Sequence, residues 1–367
     1  MKTGRIHRLA QAARIKGMDA LALMPGANLH YLTGLSLHLS ERVALALVPT
    51  DGRDMALVLP ALEQPRAQGE FAAGVPVQWF PWGDDEGPIN ALRRAASGLI
   101  GRTVGVEFTA MRVLELRALE EVAGIHSVDA TDVLASLRMH KDEDEIAIMR
   151  EAVRIVETGL RIAIESIKPG RTEREIAAIW EEVMRDEGAE GPSFATIVAS
   201  GPNSANPHHT TGDRRIAAGD LVILDGGARY RGYCSDITRT VAVGSLSVAQ
   251  QEIYAAVQAA NEAGFQHSRP GATGASIDRA ARAVLEDAEL GQYFIHRTGH
   301  GLGMEIHEPP YISSVNKQPL ASGTVFTIEP GAYVPGLGGV RIEDDVLLTA
   351  DGAERLTTFD RALRIVG

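Results

Sequence analysis

The sequence has very little cysteine and no long apolar run, and both shortages limit what the protein can be. Cys234 is its one cysteine, so an internal disulfide framework is excluded and the reducing cytoplasm is the expected location. A membrane-spanning helix needs about 18 or more consecutive apolar residues, and no such run occurs. The basic stretch 1–17 lacks the apolar core of an export signal. We therefore expect neither export nor a membrane span.

Positive charge is also in short supply. Lys and Arg number 36 against 48 Asp and Glu, which gives a formal net charge of −12. Binding to nucleic acid or to an anionic membrane normally requires a basic surface, so neither is an expected partner. Part of the acidic excess is compatible with a metal site.

The chain is long enough to predict two domains, since 367 residues exceed what one hydrophobic core comfortably holds. Apolar runs alternate with helix-like segments over about 5–135, which predicts an α/β domain with a mixed or parallel sheet. Asp142 and Glu145 then form a capping-box pattern that starts a long amphipathic helix. The predicted domains are 1–138, to which we assign no chemistry, and 142–367.

The second domain contains an internal repeat. "KPGRT" at 168–172 recurs as "RPGAT" at 269–273, and "GDLVILDGGA" at 219–228 recurs as "GTVFTIEPGA" at 323–332. Each half reads as a helix, a Pro-Gly turn, a helix and a strand pair, and each first strand ends in a carboxylate, Asp225 or Glu329. Two facing halves would form a cleft with acidic groups from both sides.

A second carboxylate follows Asp225 within its strand pair. A turn around Tyr230 and Arg231 would put Asp236 opposite Asp225, and cross-strand neighbours on one face have Cβ atoms roughly 4.5–5.5 Å apart. Taken alone, an acidic pair in a hairpin is more often a solvated edge than a binding site.

The second half repeats the acidic pair, because a Pro-Gly turn near 336 would put Glu343 opposite Glu329. Both pairs follow apolar strands that should be buried, where four carboxylates would repel one another without a counter-charge. Two divalent cations would neutralise them. The segment "HRTGHGLGMEIHEPP" at 296–310 offers an imidazole as a fifth ligand, and imidazole with carboxylates suits Mn, Co, Zn or Fe.

These segments resemble the signature sequences of the pita-bread metallopeptidases, in the aminopeptidase P and prolidase branch that cleaves Xaa-Pro bonds. The similar stretches are "LDGGARYRGYCSDITRT", "HRTGHGLGMEIHEPP", "TIEPGAYV" and "GGVRIEDD" within 142–367. The resemblance implies an α+β fold in which a smaller, creatinase-like α/β domain precedes a pita-bread domain with an internal pseudo-twofold repeat. It also implies a homodimer, because members of this branch usually associate through their N-terminal domains.

The resemblance further implies a metal-ligand set. Asp225 binds one metal, Asp236 and Glu343 bridge both metals, and His300 and Glu329 complete the second. The implied cofactor is two divalent metal ions per chain, with manganese expected and cobalt or zinc as alternatives.

Three histidines are expected to contact substrate or the reacting groups. By resemblance, His296 and His307 lie beside the metals without binding them, and His208 lies where family members commonly have a Pro-His pair. His209 is then a bystander. The flanking text "ANPHHTTGD" departs from the family's usual sequence, so substrate preference at this loop is not carried over.

We also predict roles for three further residues. Arg341 stands two residues before Glu343, so it points to the same strand face and could hold a bridging carboxylate or a substrate carboxylate. Cys234 is expected to be a buried structural cysteine. Glu329 is the expected general base and later proton donor, while His208 and His307 steady the tetrahedral intermediate and the leaving group.

The predicted function is a metallo-exopeptidase that cleaves Xaa-Pro bonds in dipeptides or at the N-terminus of small peptides. Two alternatives stay open. A creatinase-like amidinohydrolase shares the fold but does not need the five ligands, and a metal-free pita-bread binding protein should have lost some of them. All five are present in this sequence.

Overall fold

A computed structural model describes residues 2–367. The chain divides into two compact units, Met1–Arg138 and Met139–Gly367. Among the described residues, none of the helices combines the length and the apolar content that crossing a membrane requires.

The first unit is built on a six-stranded sheet. Its strands are β1 (Ala20–Leu23), β2 (Leu45–Pro49), β3 (Met55–Pro60), β4 (Val77–Trp82), β5 (Thr103–Val106) and β6 (His126–Asp129). Its helices are α1 (Lys2–Ile15), α2 (Ala27–Thr33), α3 (Gln64–Glu70), α4 (Ile89–Ala95), α5 (Val113–Ala123) and α6 (Thr131–Met139). The strand order is β4-β3-β2-β1-β5-β6. Strand β2 runs antiparallel to β1 and β3, and the other pairs are parallel, so the sheet is mixed, one of the two predicted forms.

The core of this unit follows from the apolar runs of its strands. Strand β1 is buried at every position, as expected for a strand covered on both faces. Its Ala20 and Ala22 share one apolar cluster with Leu92 of α4 and Leu119 of α5.

The second unit contains two helix pairs, one from each half of the sequence repeat. They are α7 (Glu143–Glu165) with α8 (Glu173–Asp186) and α9 (Val248–His267) with α10 (Gly274–Asp287). Helix α7 begins at the predicted capping box, where Asp142 and Glu145 each accept the other's backbone N–H at 3.0 Å.

The matching sequence segments have the same local structure. Thr172 and Thr273 each cap the second helix of their half through a capping box. Two residues earlier, Gly170 and Gly271 have φ values of 94° and 88°, in the left-handed region that favours glycine. Both glycines donate their N–H to a backbone carbonyl at 2.8 Å. The sequence repeat is therefore also a structural repeat.

Fourteen strands complete the second unit. The strands of the first half are β7 (Gly191–Pro192), β8 (Ile197–Ser200), β9 (Leu221–Gly226), β10 (Ala228–Tyr230), β11 (Tyr233–Cys234) and β12 (Ile237–Val243). Those of the second half are β13 (Gly299–Gly301), β14 (Glu308–Ile312), β15 (Val325–Ile328), β16 (Gly331–Val334), β17 (Gly338–Arg341), β18 (Asp344–Thr349), β19 (Gly352–Arg355) and β20 (Arg364–Val366). The two larger sheets have the orders β20-β12-β9-β8 and β14-β13-β15-β18-β19. An isolated bridge between Thr238 and Glu343 joins the halves.

The first strand pair has a different register from the predicted one. Its turn lies at Arg231 and Gly232, one residue later than expected, and their φ values of 47° and 80° are typical of a two-residue hairpin turn. Asp225 therefore pairs with Thr238, and the prediction that Asp236 lies directly opposite Asp225 is wrong. Asp236 stands two residues before Thr238, so it keeps the same face and is a diagonal neighbour of Asp225.

The second strand pair has the predicted register. The flanking pairs are Ile328 with Asp344 and Gly331 with Arg341. Glu329 and Glu343 occupy corresponding positions between these pairs, outside both ladders, and the bridge partner of Glu343 is Thr238.

Candidate active site

One cavity of about 450 Å³ in the second unit collects all the site residues predicted from the sequence. Its lining includes Asp225, Asp236, His300, Glu329, Glu343, His208, His296, His307 and Arg341. Both halves of the repeat contribute to this lining, as the predicted cleft requires.

Three possible metal ligands in the cavity lining are buried and close together. Asp236, His300 and Glu343 are buried and can each offer one ligand atom, all within 4.8 Å of one another. The Nε2 atom of His300 lies 3.7 Å from Asp236 Oδ2 and 3.5 Å from Glu329 Oε1. A set of carboxylates with one imidazole suits a divalent transition metal.

The glycines around His300 allow close backbone packing. A Cβ atom at Gly299 would lie 1.9 Å from the Thr327 carbonyl oxygen, and one at Gly301 would lie 2.5 Å from the Pro309 oxygen. The register of β13 against β14 also shifts between His300 and Gly301. Residues Gly299–Gly301 thus form an ordered strand whose irregularity falls at His300, and such irregularities are common next to functional sites.

His300 is held in the state that a metal ligand requires. Its Nδ1 atom lies 3.1 Å from the Gly301 carbonyl oxygen, which can only accept, so Nδ1 carries the proton. The Nε2 lone pair therefore faces the carboxylates. Burial lowers the pKa of His300 to about 3, with His307 adding to the effect, so the ring is neutral at physiological pH.

The carboxylates oppose one another in a buried space. Burial raises the pKa of both Asp236 and Glu343 well above the ordinary range, and neighbouring carboxylates raise both further. Burial also raises the pKa of Glu329 to about 7. Within residues 2–367, the buried Asp236 Oδ1 atom has no hydrogen-bond partner. A divalent cation would supply both the missing partner and the counter-charge, so these residues fit a metal site.

Two residues outside the predicted set hold predicted ligands, Thr238 through the Glu343 carboxylate and Asp345 through the Asp236 backbone. The hydroxyl of Thr238 donates to Glu343 Oε2 at 2.6 Å. The backbone N–H of Asp236 donates to Asp345 Oδ2 at 3.0 Å. Sequence reasoning missed Thr238 and Asp345, although both follow a predicted ligand by two residues and so share its strand face.

Arg341 starts a chain of hydrogen bonds along the cavity wall. Its guanidinium donates to Asp225 Oδ2 at 2.5 Å and to the Tyr333 oxygen at 2.8 Å. The carboxylate that it holds is therefore Asp225, and not one of the two that the resemblance makes bridging. The Tyr333 hydroxyl is 2.9 Å from His296 Nε2, and His296 Nδ1 is 2.8 Å from the Arg297 carbonyl oxygen. Sequence reasoning also missed Tyr333, which β16 brings against β17.

The remaining histidines have distinct surroundings. The His307 ring packs edge-on against His300, with 4.3 Å between ring centroids. Burial lowers the pKa of His307, and the nearby Arg297 lowers it further. His208 is exposed at the cavity, whereas the adjacent His209 ring lies 2.8 Å from Glu173 Oε2.

Arg297 is a cavity residue that sequence reasoning did not single out. Its guanidinium lies over the Tyr311 ring, 4.4 Å from the centroid. Among the residues that the structure describes, it forms no ion pair with an acidic side chain, although it is near enough to Glu329 to lower the pKa of that carboxyl group. Phe194, Ile197 and Ile306 add apolar wall to the same cavity, which therefore combines a positive group with space for a small apolar side chain.

Comparisons with known proteins identify the family of the chain. Residues 147–350 match the model of Metallopeptidase family M24, and residues 5–140 match that of the Creatinase/Prolidase N-terminal domain. An Xaa-Pro dipeptidase of Pyrococcus horikoshii is 37% identical over 361 residues, covering 98% of this chain and 98% of that protein.

Two solved structures are similar over nearly the whole chain. A dipeptidase from Mycobacterium ulcerans has 38% identity and a TM-score of 0.93, covering 100% of this chain and 98% of the other. A prolidase from Thermococcus sibiricus has 39% identity and a TM-score of 0.92, covering 99% and 98%.

Proposed function

This chain belongs to the metallopeptidase family M24, and we propose that it hydrolyses the Xaa-Pro bond of small peptides, dipeptides above all. The observation that carries the proposal is the single cavity lined by four acidic side chains, four histidines and two arginines. The similarity to an Xaa-Pro dipeptidase and to a prolidase supports the preference for proline.

The proposed metal ligands are the five residues that the sequence motifs indicated. Asp225, Asp236, His300, Glu329 and Glu343 would hold two divalent ions, manganese first, with cobalt or zinc as alternatives. When bound, such ions lower the pKa of a water molecule and polarise the scissile carbonyl.

Glu329 is the proposed general base. Its carboxylate oxygen Oε1 lies 3.5 Å from His300 Nε2, so it would stand beside the metal ions and the attacking water. A carboxylate in that position could take a proton from the water and return it to the proline nitrogen.

The cavity histidines serve the substrate in this proposal. The neutral imidazole of His307 donates a hydrogen bond to the oxygen on which negative charge develops. His208, on the loop at the cavity, steadies the leaving imino group. His296 is fixed between Tyr333 and the Arg297 carbonyl and forms part of the wall that the substrate contacts.

Arg297 supports a preference for dipeptides. A dipeptide has its terminal carboxylate one residue from the scissile bond, and the Arg297 guanidinium, which forms no ion pair within the described chain, offers that carboxylate a positive partner. A longer peptide would place a neutral amide there instead.

The test is hydrolysis of Ala-Pro, Ala-Pro-Ala-Ala and Ala-Ala by the metal-loaded protein. We expect Ala-Pro to be cleaved with at least about tenfold higher kcat/KM than the tetrapeptide, which corresponds to about 1.4 kcal/mol. Ala-Ala should be a poor substrate. A higher kcat/KM on the tetrapeptide would make the protein an Xaa-Pro aminopeptidase, and activity on creatine alone would favour the amidinohydrolase.

The site of action and the assembly remain predictions. We propose that the protein acts in the cytoplasm, because it has one cysteine, and as a homodimer, because its sequence resembles this branch of the family. Sedimentation at micromolar concentration checks the assembly, and a monomer would contradict it.

A further inference from the structure

The loop 201–213 carries His208 to the cavity, yet, among the described residues, no hydrogen bond of the His208 side chain fixes its position. Within residues 2–367 its ring makes no hydrogen bond, and its backbone N–H makes only a local one, to Asn206 Oδ1 at 3.1 Å. The position of the imidazole therefore depends on whatever holds the loop.

The carboxylate of Glu173 contacts several groups in and next to this loop. Glu173, the first residue of α8, is completely buried. Its Oε1 atom accepts three hydrogen bonds, from Ser200 N at 2.8 Å, Ser200 Oγ at 2.7 Å and Asn203 Nδ2 at 2.9 Å. Its Oε2 atom lies 2.8 Å from His209 Nε2 and accepts from Gly212 N at 3.3 Å. The partners span both ends of the loop.

The chemistry of these partners favours a charged acceptor. The backbone N–H groups of Ser200 and Gly212 can only donate. The Ser200 hydroxyl, the Asn203 amide and His209 Nε2 complete a set of five donors around one carboxylate. Burial by itself raises the pKa of Glu173, but the hydrogen bonds from Ser200, Asn203 and His209 outweigh it, so the pKa is lowered. The group is a carboxylate at neutral pH.

The other side of the loop rests on the cavity wall. The Gly339 N–H on β17 donates to Ser204 Oγ at 2.8 Å, and a Cβ atom at Gly339 would lie 2.0 Å from the Ser204 carbonyl oxygen. Two residues along the same strand, Arg341 donates to the Pro207 carbonyl oxygen at 3.4 Å. The loop is thus clamped between Glu173 and the strand that carries Arg341.

We propose that Glu173 is a positioning residue of the active site, which fixes His208 at the cavity by holding His209 and the loop backbone. Glu173 itself does not line the cavity. The inference rests on the proposed function in one respect, that His208 acts on the substrate.

The decisive variant is Glu173→Gln, which keeps the shape and removes one acceptor. Its NH₂ group would face either the Gly212 N–H or the Ser200 donors, so at least one buried donor would lose its partner. We expect kcat on Ala-Pro to fall about 10- to 100-fold, as for a small displacement of a catalytic group, with metal content unchanged. Asn203→Ala leaves the carboxylate its other partners and should give a smaller loss of the same kind.

A double-mutant cycle separates positioning from general destabilisation. If Glu173 acts through His208, Glu173→Gln should cost little further activity in the His208→Ala background. Glu175→Gln is the matched control, because Glu175 is exposed on the same turn of α8 and its side chain accepts the backbone N–H of Thr172. It should leave kcat nearly unchanged.

A spectroscopic readout makes the test independent of catalysis. In ¹³C-labelled histidine protein, the His208 ring signal, assigned by its loss in His208→Ala, should move or broaden in Glu173→Gln and stay in place in Glu175→Gln. An unmoved signal, or equal loss of activity in both backgrounds of the cycle, overturns the positioning role. A parent that cleaves no Ala-Pro overturns the proposed function instead, while the ring signal still decides the inference.

Discussion

Arg341 and Asp225 form a buried ion pair in which Nη2 and Oδ2 are 2.5 Å apart. The ion pair engages Oδ2 of Asp225, a proposed metal ligand, and leaves Oδ1 of the same carboxylate for a metal ion. Because the same guanidinium also holds Tyr333, one side chain orients both sides of the cavity. The planar fork of arginine makes this double contact possible, and lysine cannot reproduce it.

Arg341→Lys should therefore weaken metal binding about 10- to 100-fold, the range typical of losing a group that orients a ligand. Titration of the chelator-treated protein with Mn²⁺ measures the affinity directly. Arg297→Lys is the control, since Arg297 lines the cavity without contacting a carboxylate. Equal affinity in parent and Arg341→Lys would contradict the orienting role.

Metal removal should abolish peptidase activity, because the carboxylates are proposed to act through bound ions. Dialysis against a chelator is the treatment, and adding Mn²⁺ or Co²⁺ should restore the rate. His300→Ala should lose one metal per chain while keeping the fold, as measured by elemental analysis and circular dichroism. Full activity of a protein shown to hold no metal would refute the assignment.

His307→Ala should lower kcat about 10²–10³-fold, the usual effect of losing a transition-state contact, while metal content stays near that of the parent. Both quantities are measured on one preparation. His209 is a poor control for this experiment because it contacts buried Glu173. Exposed His126 of β6 is a better one, and His126→Ala should be silent. Loss of a metal with His307 would make it a ligand.

The metal-free protein should become less stable as the pH rises, in part through Glu329. Its folded pKa of about 7 exceeds the unfolded value of about 4.3. The native state therefore binds the extra proton between these values, and the stabilisation present at low pH is lost as the pH rises through the folded pKa.

Glu329→Gln tests this effect, because it removes the carboxyl group and also relieves Asp236 and Glu343 of a neighbouring negative charge. With chelator present, the variant should melt above the parent at pH 8, and the difference should shrink at pH 5. The same melting-temperature difference at both pH values would show that Glu329 titrates normally.

Arg297→Ala should change substrate choice more than overall activity. We expect KM for Ala-Pro to rise about tenfold or more, because the terminal carboxylate loses its charged partner, with little change for Ala-Pro-Ala-Ala. Steady-state kinetics on both peptides measure the ratio. A parallel loss on both substrates would place Arg297 elsewhere in the mechanism.

Much of the architecture followed from local sequence signals with a physical cause. The Asp142 capping box, the two Pro-Gly turns and the apolar runs each act over a few residues, so the sequence alone indicated them. The repeat then indicated which carboxylates would converge, and they line one cavity.

What the sequence could not predict depends on small shifts and long-range contacts. Moving one turn by a single residue to Arg231 and Gly232 changed the partner of Asp225. Glu173 reads as an ordinary acidic residue in the first turn of a helix, and its loop partners became visible only in the folded chain. The roles proposed for Tyr333 and Arg297 likewise depend on neighbours that are distant in the sequence, so the sequence alone did not indicate them.

The division of the site between the two halves of the repeat has a consequence for how the protein matures. On the proposed assignment, Asp225 and Asp236 come from the first half, and His300, Glu329 and Glu343 from the second. Either half alone presents only a partial donor set, so high-affinity metal capture can occur only after the halves have docked. Bound ions would then hold the two halves together through ligands from both. A chain cleaved within the linker 244–247 should stay associated while metal is bound, and its fragments should separate more readily after a chelator removes the metal.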